Sequence, residues 1–113
     1  MTESNPFEIT PQQVQERIKG GETFCLIDVR EQWEFQTAAI AGANLVPMAS
    51  VPSRIQELEA QADNSPLLVI CHHGVRSLNV VNWLRQQGLE NCTSLCGGID
   101  QWSREIDASI PRY

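Results

Sequence analysis

Two short apolar runs constrain this chain more than anything else in its 113 residues: Phe24-Cys25-Leu26-Ile27-Asp28-Val29 and Leu67-Leu68-Val69-Ile70-Cys71. Neither alternates apolar with polar positions, so neither suits a strand with one wet face. Each reads as a strand covered on both sides. Segments of helical periodicity surround them. Thr10-Pro11-Gln12-Gln13 reads as a helix start, with Thr10 as N-cap, Pro11 in the first turn and Gln13 reaching back. Val14 and Ile18 give that helix its apolar face, and Gly20-Gly21 stop it. A short helix is expected over 31–39, ended before Gly42, then a short strand Asn44-Leu45-Val46 closed by Pro47. Ser50 is placed as the cap of a helix carrying Val51, Ile55, Leu58 and Ala62 on one side. The turn cluster Asp63-Asn64-Ser65-Pro66 leads into the strand Leu67–Ile70. The helix after it turns Val80, Val81 and Leu84 inward and ends at Gly88. Thr93–Leu95 is a last short strand, Gly97-Gly98 a turn, and Ile99, Trp102 and Ile106 the face of a final helix. Strand and helix in alternation, with short connections, predict an α/β sandwich around a parallel sheet.

Length and charge narrow the function classes. A chain of this size is one domain, taken here as residues 1–113, between a polar start before Phe7 and a short tail after Asp107. The formal net charge is −6 and Lys19 is the only lysine. A surface of that sign repels nucleic-acid phosphates and anionic headgroups, so neither nucleic acid nor a membrane is expected as a partner. No apolar run approaches the roughly 20 residues that cross a bilayer. The stretch Met1-Thr2-Glu3-Ser4-Asn5-Pro6 lacks the basic and apolar parts of a signal peptide. Cys25, Cys71, Cys92 and Cys96 include no C-x-x-C pair and are too few for a disulfide scaffold. The expectation is a cytoplasmic protein with reduced cysteines.

The chemistry sits where the second apolar run ends. Cys71-His72-His73-Gly74-Val75-Arg76-Ser77 joins a buried strand to a helix N-terminus. A loop in that place can turn its backbone N–H groups toward one point and form an anion nest. Gly74 supplies the left-handed backbone such a turn needs. Cys71, at the rim of the nest, would feel the helix dipole, the amides and Arg76, all of which favour thiolate over thiol. The same donors can hold an anionic substrate or leaving group. The residues therefore suggest attack by a cysteine on an anionic compound.

Four motifs resemble the rhodanese-like family. Cys71-x-x-Gly74-x-Arg76-Ser77 matches its active-site loop, and Asp28-Val29-Arg30-Glu31 with Glu34-Phe35 is similar to its first signature. Ile40-x-Gly42-Ala43-x-Leu45 resembles the second, and Leu95-x-Gly97-Gly98-Ile99-x-x-Trp102 the C-terminal one. They fall in the family's order and span about residues 7–106. The resemblance implies a three-layer sandwich, a five-stranded parallel sheet with helices on both faces. It also implies a sulfurtransferase without metal or organic cofactor. Cys71 would take the outer sulfur of an anionic donor such as thiosulfate, release sulfite and pass the sulfur to cyanide, a thiol or a protein acceptor. Backbone N–H groups of residues 72 to 76 would steady the persulfide, with Arg76 closing the ring. Phosphatases and arsenate reductases on this fold use C-x5-R. Here four residues separate Cys71 from Arg76, a tighter nest suited to one sulfur atom and not to a tetrahedral phosphate. The alternative to turnover is a sulfur-carrier or protein-binding module of the same family. One departure stands out: the family's Gly-His-Ile-Pro-Gly-Ala is Ala38-Ala39-Ile40-Ala41-Gly42-Ala43 here, without the histidine and the proline.

Each residue also has a plainer reading. Cys71 competes with a buried structural thiol, and Arg76 with an ion pair to a carboxylate such as Glu34. Asp28 and Arg30 read as a structural pair near the pocket before they read as substrate contacts. His72 and His73 are expected to line the rim. Adjacent loop residues have no easy route to a single metal ion. Cys92 and Cys96 are alternatives as a resolving thiol, with core packing the default for Cys25 and Cys92. Trp83 and Trp102 read as core or partial core, Trp33 as a pocket or partner surface.

Overall fold

The two apolar runs become neighbouring central strands. In the computed structural model, which describes residues 6–113, β2 (Cys25–Asp28) and β4 (Leu67–Ile70) run parallel, with Cys25 opposite Leu67 and Asp28 opposite Ile70. The part of the polar start formed by Met1 to Asn5 lies outside the described residues. Three shorter strands complete the sheet: β1 (Glu8–Ile9), β3 (Asn44–Leu45) and β5 (Cys92–Leu95). The order is β1-β5-β4-β2-β3, with every pairing parallel. This five-stranded parallel sheet with helices on both faces is the architecture expected.

Strand alternation sorts the core into two layers. Leu67, Val69 and Ile27 face α3 (Ile55–Ala62) and α4 (Val75–Gln86), meeting Leu58, Ala62, Val80, Val81 and Leu84. Leu68, Ile70 and Leu95 face the other way, onto Val14 of α1 (Pro11–Lys19) and Ile99 and Trp102 of α5 (Gly98–Glu105). Burial of a side chain such as Leu58 or Leu84 contributes roughly 2 kcal/mol. Thr10 caps α1 as read from the sequence, its hydroxyl accepting from the Gln13 amide at 3.1 Å while the Gln13 side chain accepts from Thr10 N–H at 2.9 Å.

Four local readings need correction. Ile18 is 44% exposed, since it lies in the last turn of α1 before two glycines that offer no side chain to pack on. Ser50 caps nothing: its hydroxyl donates to Pro47 O at 2.8 Å within a 3-10 turn, Met48–Ser50. A second 3-10 turn, Pro52–Arg54, follows, so α3 starts only at Ile55, although Val51 is buried as expected. The helix placed at 31–39 is α2 (Gln32–Thr37), and Ala38 and Ile40 beyond it pack into the core despite the altered 38–43 segment. The edge strand β1 left no trace in the sequence because only Ile9 of its two residues is apolar and buried.

The sheet places the carboxyl ends of β2 and β4 side by side, where parallel α/β sheets bind ligands. The first turn of α5 closes over that end. Ile99 N–H donates to Cys71 O at 2.9 Å and Asp100 N–H to His72 O at 3.1 Å. Gly98 has φ +63°, and a Cβ there would overlap the carbonyl oxygens of both residues. Replacing Gly98 by Ala is expected to cost about 2–4 kcal/mol of stability. A drop in urea midpoint at unchanged slope checks it; an unaltered midpoint would show that the turn does not brace the loop.

Candidate functional site

Cys71 follows the last residue of β4, and the chain then turns sharply into α4. Gly74 makes the turn with φ +99°. Its N–H points back at Cys71 Sγ, 3.0 Å away, and the first turn of α4 adds Ser77 N–H at 3.3 Å. The Ser77 hydroxyl also lies 3.3 Å from Sγ and 2.7 Å from the Ser94 hydroxyl on β5. Two amides at a helix N-terminus and one hydroxyl thus converge on one sulfur, an arrangement able to hold negative charge there. Cys71 is 1% exposed. It forms the floor of the nest, not its rim, because β4 is buried along its whole length and Cys71 continues it. The amides that reach Sγ are those of Gly74 and Ser77.

The Arg76 guanidinium is paired with a carboxylate. Its two terminal nitrogens donate to the two Glu34 carboxylate oxygens at 2.8 and 2.9 Å, a bidentate clamp from α4 to α2. Glu34 accepts as well from Glu31 N–H at 3.0 Å and the Tyr113 hydroxyl at 2.8 Å. Arg76 above all holds the Glu34 carboxyl at about 2, and Glu34 in turn raises the Arg76 guanidinium above its ordinary value. Behind this pair, Arg30 and Asp28 are fully buried and joined at 2.7 to 3.1 Å. The Arg30 guanidinium also donates to Ala38 O at 2.6 Å and to the Tyr113 hydroxyl at 2.8 Å. Burial, with Glu34 adding to it, pushes the Tyr113 phenol up to about 12, so it stays a donor at any working pH.

The Tyr113 ring lies on His72, with centroids 3.9 Å apart and planes within 5°. His73 stacks on His72 at 3.9 Å, and Trp33 stands edge-on to Tyr113 at 5.9 Å. Burial first, and His73 next, lower the His72 pKa. The histidines do come together with a carboxylate: one ligand atom each of His72, His73 and Asp100 lies within 4.8 Å of the others. That corrects the geometric objection to convergence. Asp100 is also paired with Arg112 at 3.0 Å and with Arg104 at 3.3 Å. All four cysteines are free. Burial pushes the Cys25 and Cys92 thiols up, and Cys92 donates to Leu89 O. An apolar groove lined by Met48, Val51, Pro52, Asn79, Val80 and Trp83 lies along α4, with no side chain of residues 71–77 in its wall.

Sequence reasoning singled out Cys71, Gly74, Arg76, Ser77, Asp28, Arg30 and Glu34, and the fold assembles them. It missed Ser94 and Tyr113. Ser94 had a signal, a hydroxyl in the middle of a short strand that must bury both faces. Tyr113 had none, lying in the tail after Asp107.

A parallel sheet between helices, with a cysteine loop running from a central strand into a helix N-terminus, defines an α/β protein that cradles one electron-rich atom. The rhodanese-like domain family matches residues 10–105. The chain is 40% identical over 98 residues to thiosulfate sulfurtransferase GlpE of Haemophilus influenzae strain PittEE, covering 86% of this chain and 88% of that protein. It is 30% identical over 109 residues to the Zea mays adenylyltransferase and sulfurtransferase MOCS3-2, covering 93% of this chain but spanning only 23% of that longer protein. Among solved structures, a rhodanese-related protein from Thermoplasma volcanium superposes with a TM-score of 0.76 at 32% identity, over 89% of this chain and 94% of that one. The chain belongs to the rhodanese-like family.

The Glu34 clamp carries a pH signature. Glu34 is held at about 2 in the folded chain against an ordinary 4.5, so its contribution is complete above pH 4.5 and is lost as pH falls toward 2. With Arg76 partly wet, that contribution is about 2 kcal/mol. E34Q is expected to lose about that much at pH 7 and to flatten the stability profile between pH 5 and 2, as read by urea unfolding. A wild-type profile already flat there would refute the clamp.

Proposed function

We propose that this chain works as a single rhodanese-like domain that moves a sulfane sulfur from an anionic donor such as thiosulfate to a thiophilic acceptor through a persulfide on Cys71. The observation that carries the reading is the convergence of Gly74 N–H, Ser77 N–H and the Ser77 hydroxyl on Cys71 Sγ. The Haemophilus relatives named thiosulfate sulfurtransferase, matched over most of their length, support it.

In the first step the Cys71 thiolate attacks the outer sulfur of thiosulfate. A new S–S bond forms, the old one breaks, and sulfite leaves with the electron pair. The terminal sulfur of the persulfide then carries the negative charge, and loop amides stabilise it as they would an oxyanion. Four residues between Cys71 and Arg76 draw the loop in around one atom. In the second step a thiolate or cyanide attacks that terminal sulfur and Cys71 departs as thiolate, ready for another cycle. Neither step needs a metal or an electron carrier. Arg76 serves here as a strut for the loop, held by Glu34, not as a direct ligand of the donor. Asp28 and Arg30 hold the floor beneath it. His72, His73 and Val75 form the outer wall of the loop. The four free cysteines suit a reducing compartment, the cytoplasm, and no helix among the described residues is long and apolar enough to cross a membrane.

Intact mass after incubation with thiosulfate tests the proposal directly. Wild type is expected to gain one sulfur atom, removable by cyanide, and C71S to gain none. Wild type that gains no sulfur from thiosulfate, polysulfide or a cysteine persulfide would leave a binding module as the better account. S77A removes the one side-chain hydroxyl at the sulfur while leaving both amides. It is expected to lower thiosulfate:cyanide turnover by about tenfold, less than the loss of a full oxyanion-hole donor.

A further inference from the structure

The loop after Cys71 is pinned to α5 by its backbone, Asp100 N–H donating to His72 O at 3.1 Å. The same contact sets the acidic side chain of the first α5 turn beside two imidazoles. One ligand atom each of His72, His73 and Asp100 lies within 4.8 Å of the other two. Among the described residues no other group of three histidine, cysteine or acidic side chains converges so closely.

Each of the three is able to ligate. His72 Nε2 is buried and has no hydrogen-bond partner. Buried polar atoms in native proteins nearly always have one, so this nitrogen calls for an explanation. Its ring lies against Tyr113 and against His73, with centroids 3.9 Å away in each case. His73 is exposed, and its ring can tilt out of the stack. Asp100 accepts from Arg112 on Oδ1 and pairs with Arg104 through Oδ2. Both arginine side chains are more than half exposed, so these pairs hold weakly. An ionised carboxylate keeps lone pairs beyond the two in use.

We propose that His72, His73 and Asp100 form a binding site for a divalent transition ion of the zinc type. Two imidazoles and a carboxylate suit such an ion, whereas calcium and magnesium take oxygen ligands. Zinc lies about 2.0–2.1 Å from nitrogen and oxygen donors, which sets them roughly 3.5 Å apart around it. Donors already within 4.8 Å reach that spacing when His73 turns inward. Three protein ligands leave a further position to water. The bound ion latches the two residues that follow Cys71 onto α5. It takes no part in sulfur transfer, so the site stands or falls apart from that reaction.

Calorimetric titration of the reduced full chain and of its C71S variant with Zn²⁺ is the direct test. One ion per chain is expected in C71S, because the ligand set does not include that thiol. D100N and H73Q, each made in C71S, should weaken binding at least about tenfold, the loss that removal of even an outer partner of a metal site brings. Neither change takes an apolar group from the core, and far-UV circular dichroism checks that both variants fold. Titration with Co²⁺ reads the donors: d–d absorption without a thiolate charge-transfer band is expected. A thiolate band in C71S would put the ion on another cysteine and overturn the site. Affinity no tighter than about 1 mM would overturn it too, as would affinity that D100N and H73Q leave unchanged.

Discussion

The Arg76–Glu34 clamp is the interaction on which the rest of the site depends. It ties the first turn of α4 to α2, two segments 42 residues apart, at 2.8 and 2.9 Å. It adds a side-chain tie to a loop otherwise held by its strand, the α5 turn, the Ser77–Ser94 hydrogen bond and the packing of α4. Glu34 can serve because its own place is fixed three further times over, by Glu31 N–H, the Tyr113 hydroxyl and the helix it sits on. Tyr113 in turn receives a hydrogen bond from Arg30, whose charge is closed on Asp28 with no solvent contact. The chain of contacts runs from the buried end of β2 to the loop. Buried charge pairs give little net stability, since desolvation offsets their attraction, yet loss of one partner costs about 3–5 kcal/mol. Their value here is geometric: each link has one low-energy arrangement.

A second brace acts from the opposite side. The α5 turn donates backbone N–H groups to the carbonyls of Cys71 and His72, and Gly98 lies too near those oxygens for any side chain. Gly74 is similarly pressed, with room for a Cβ only 3.1 Å from Gly97 N. The loop is thus sandwiched between a glycine turn and an ion-pair clamp. That confinement lets the Gly74 and Ser77 amides point inward, although free in solution they would face water.

The parts of this arrangement that could be read from the sequence are those written in local pattern. Leu67–Ile70 is four apolar residues in a row, so its burial and its place in the sheet follow at once, and the loop follows from the strand. The Thr10 capping box is likewise local and was read to the residue. Ile18 and Ser50 misled because periodicity and residue type say nothing about what packs opposite. Ile18 lies in the last turn of its helix and stays exposed, and the Ser50 hydroxyl donates to Pro47 O instead of accepting from an amide. The depth of Cys71 was also out of reach, since rim and floor differ by how far a strand is covered. Tyr113 is the clearest limit. Its contacts to Arg30, Glu34 and His72 join residues 83, 79 and 41 positions apart, a relation no spacing encodes.

The charge pattern makes physical sense of an acidic chain proposed to handle anionic sulfur. A site that drew its donor by a positive field would need uncompensated arginines, which would repel one another around a loop this small. Here Arg30, Arg76, Arg104 and Arg112 are spent on structure, each closed on a carboxylate, and the sulfur is met by dipoles: two amides at a helix start and a hydroxyl held by Ser94. Dipoles are short-ranged and already aimed, so they act on charge placed among them and little on charge outside.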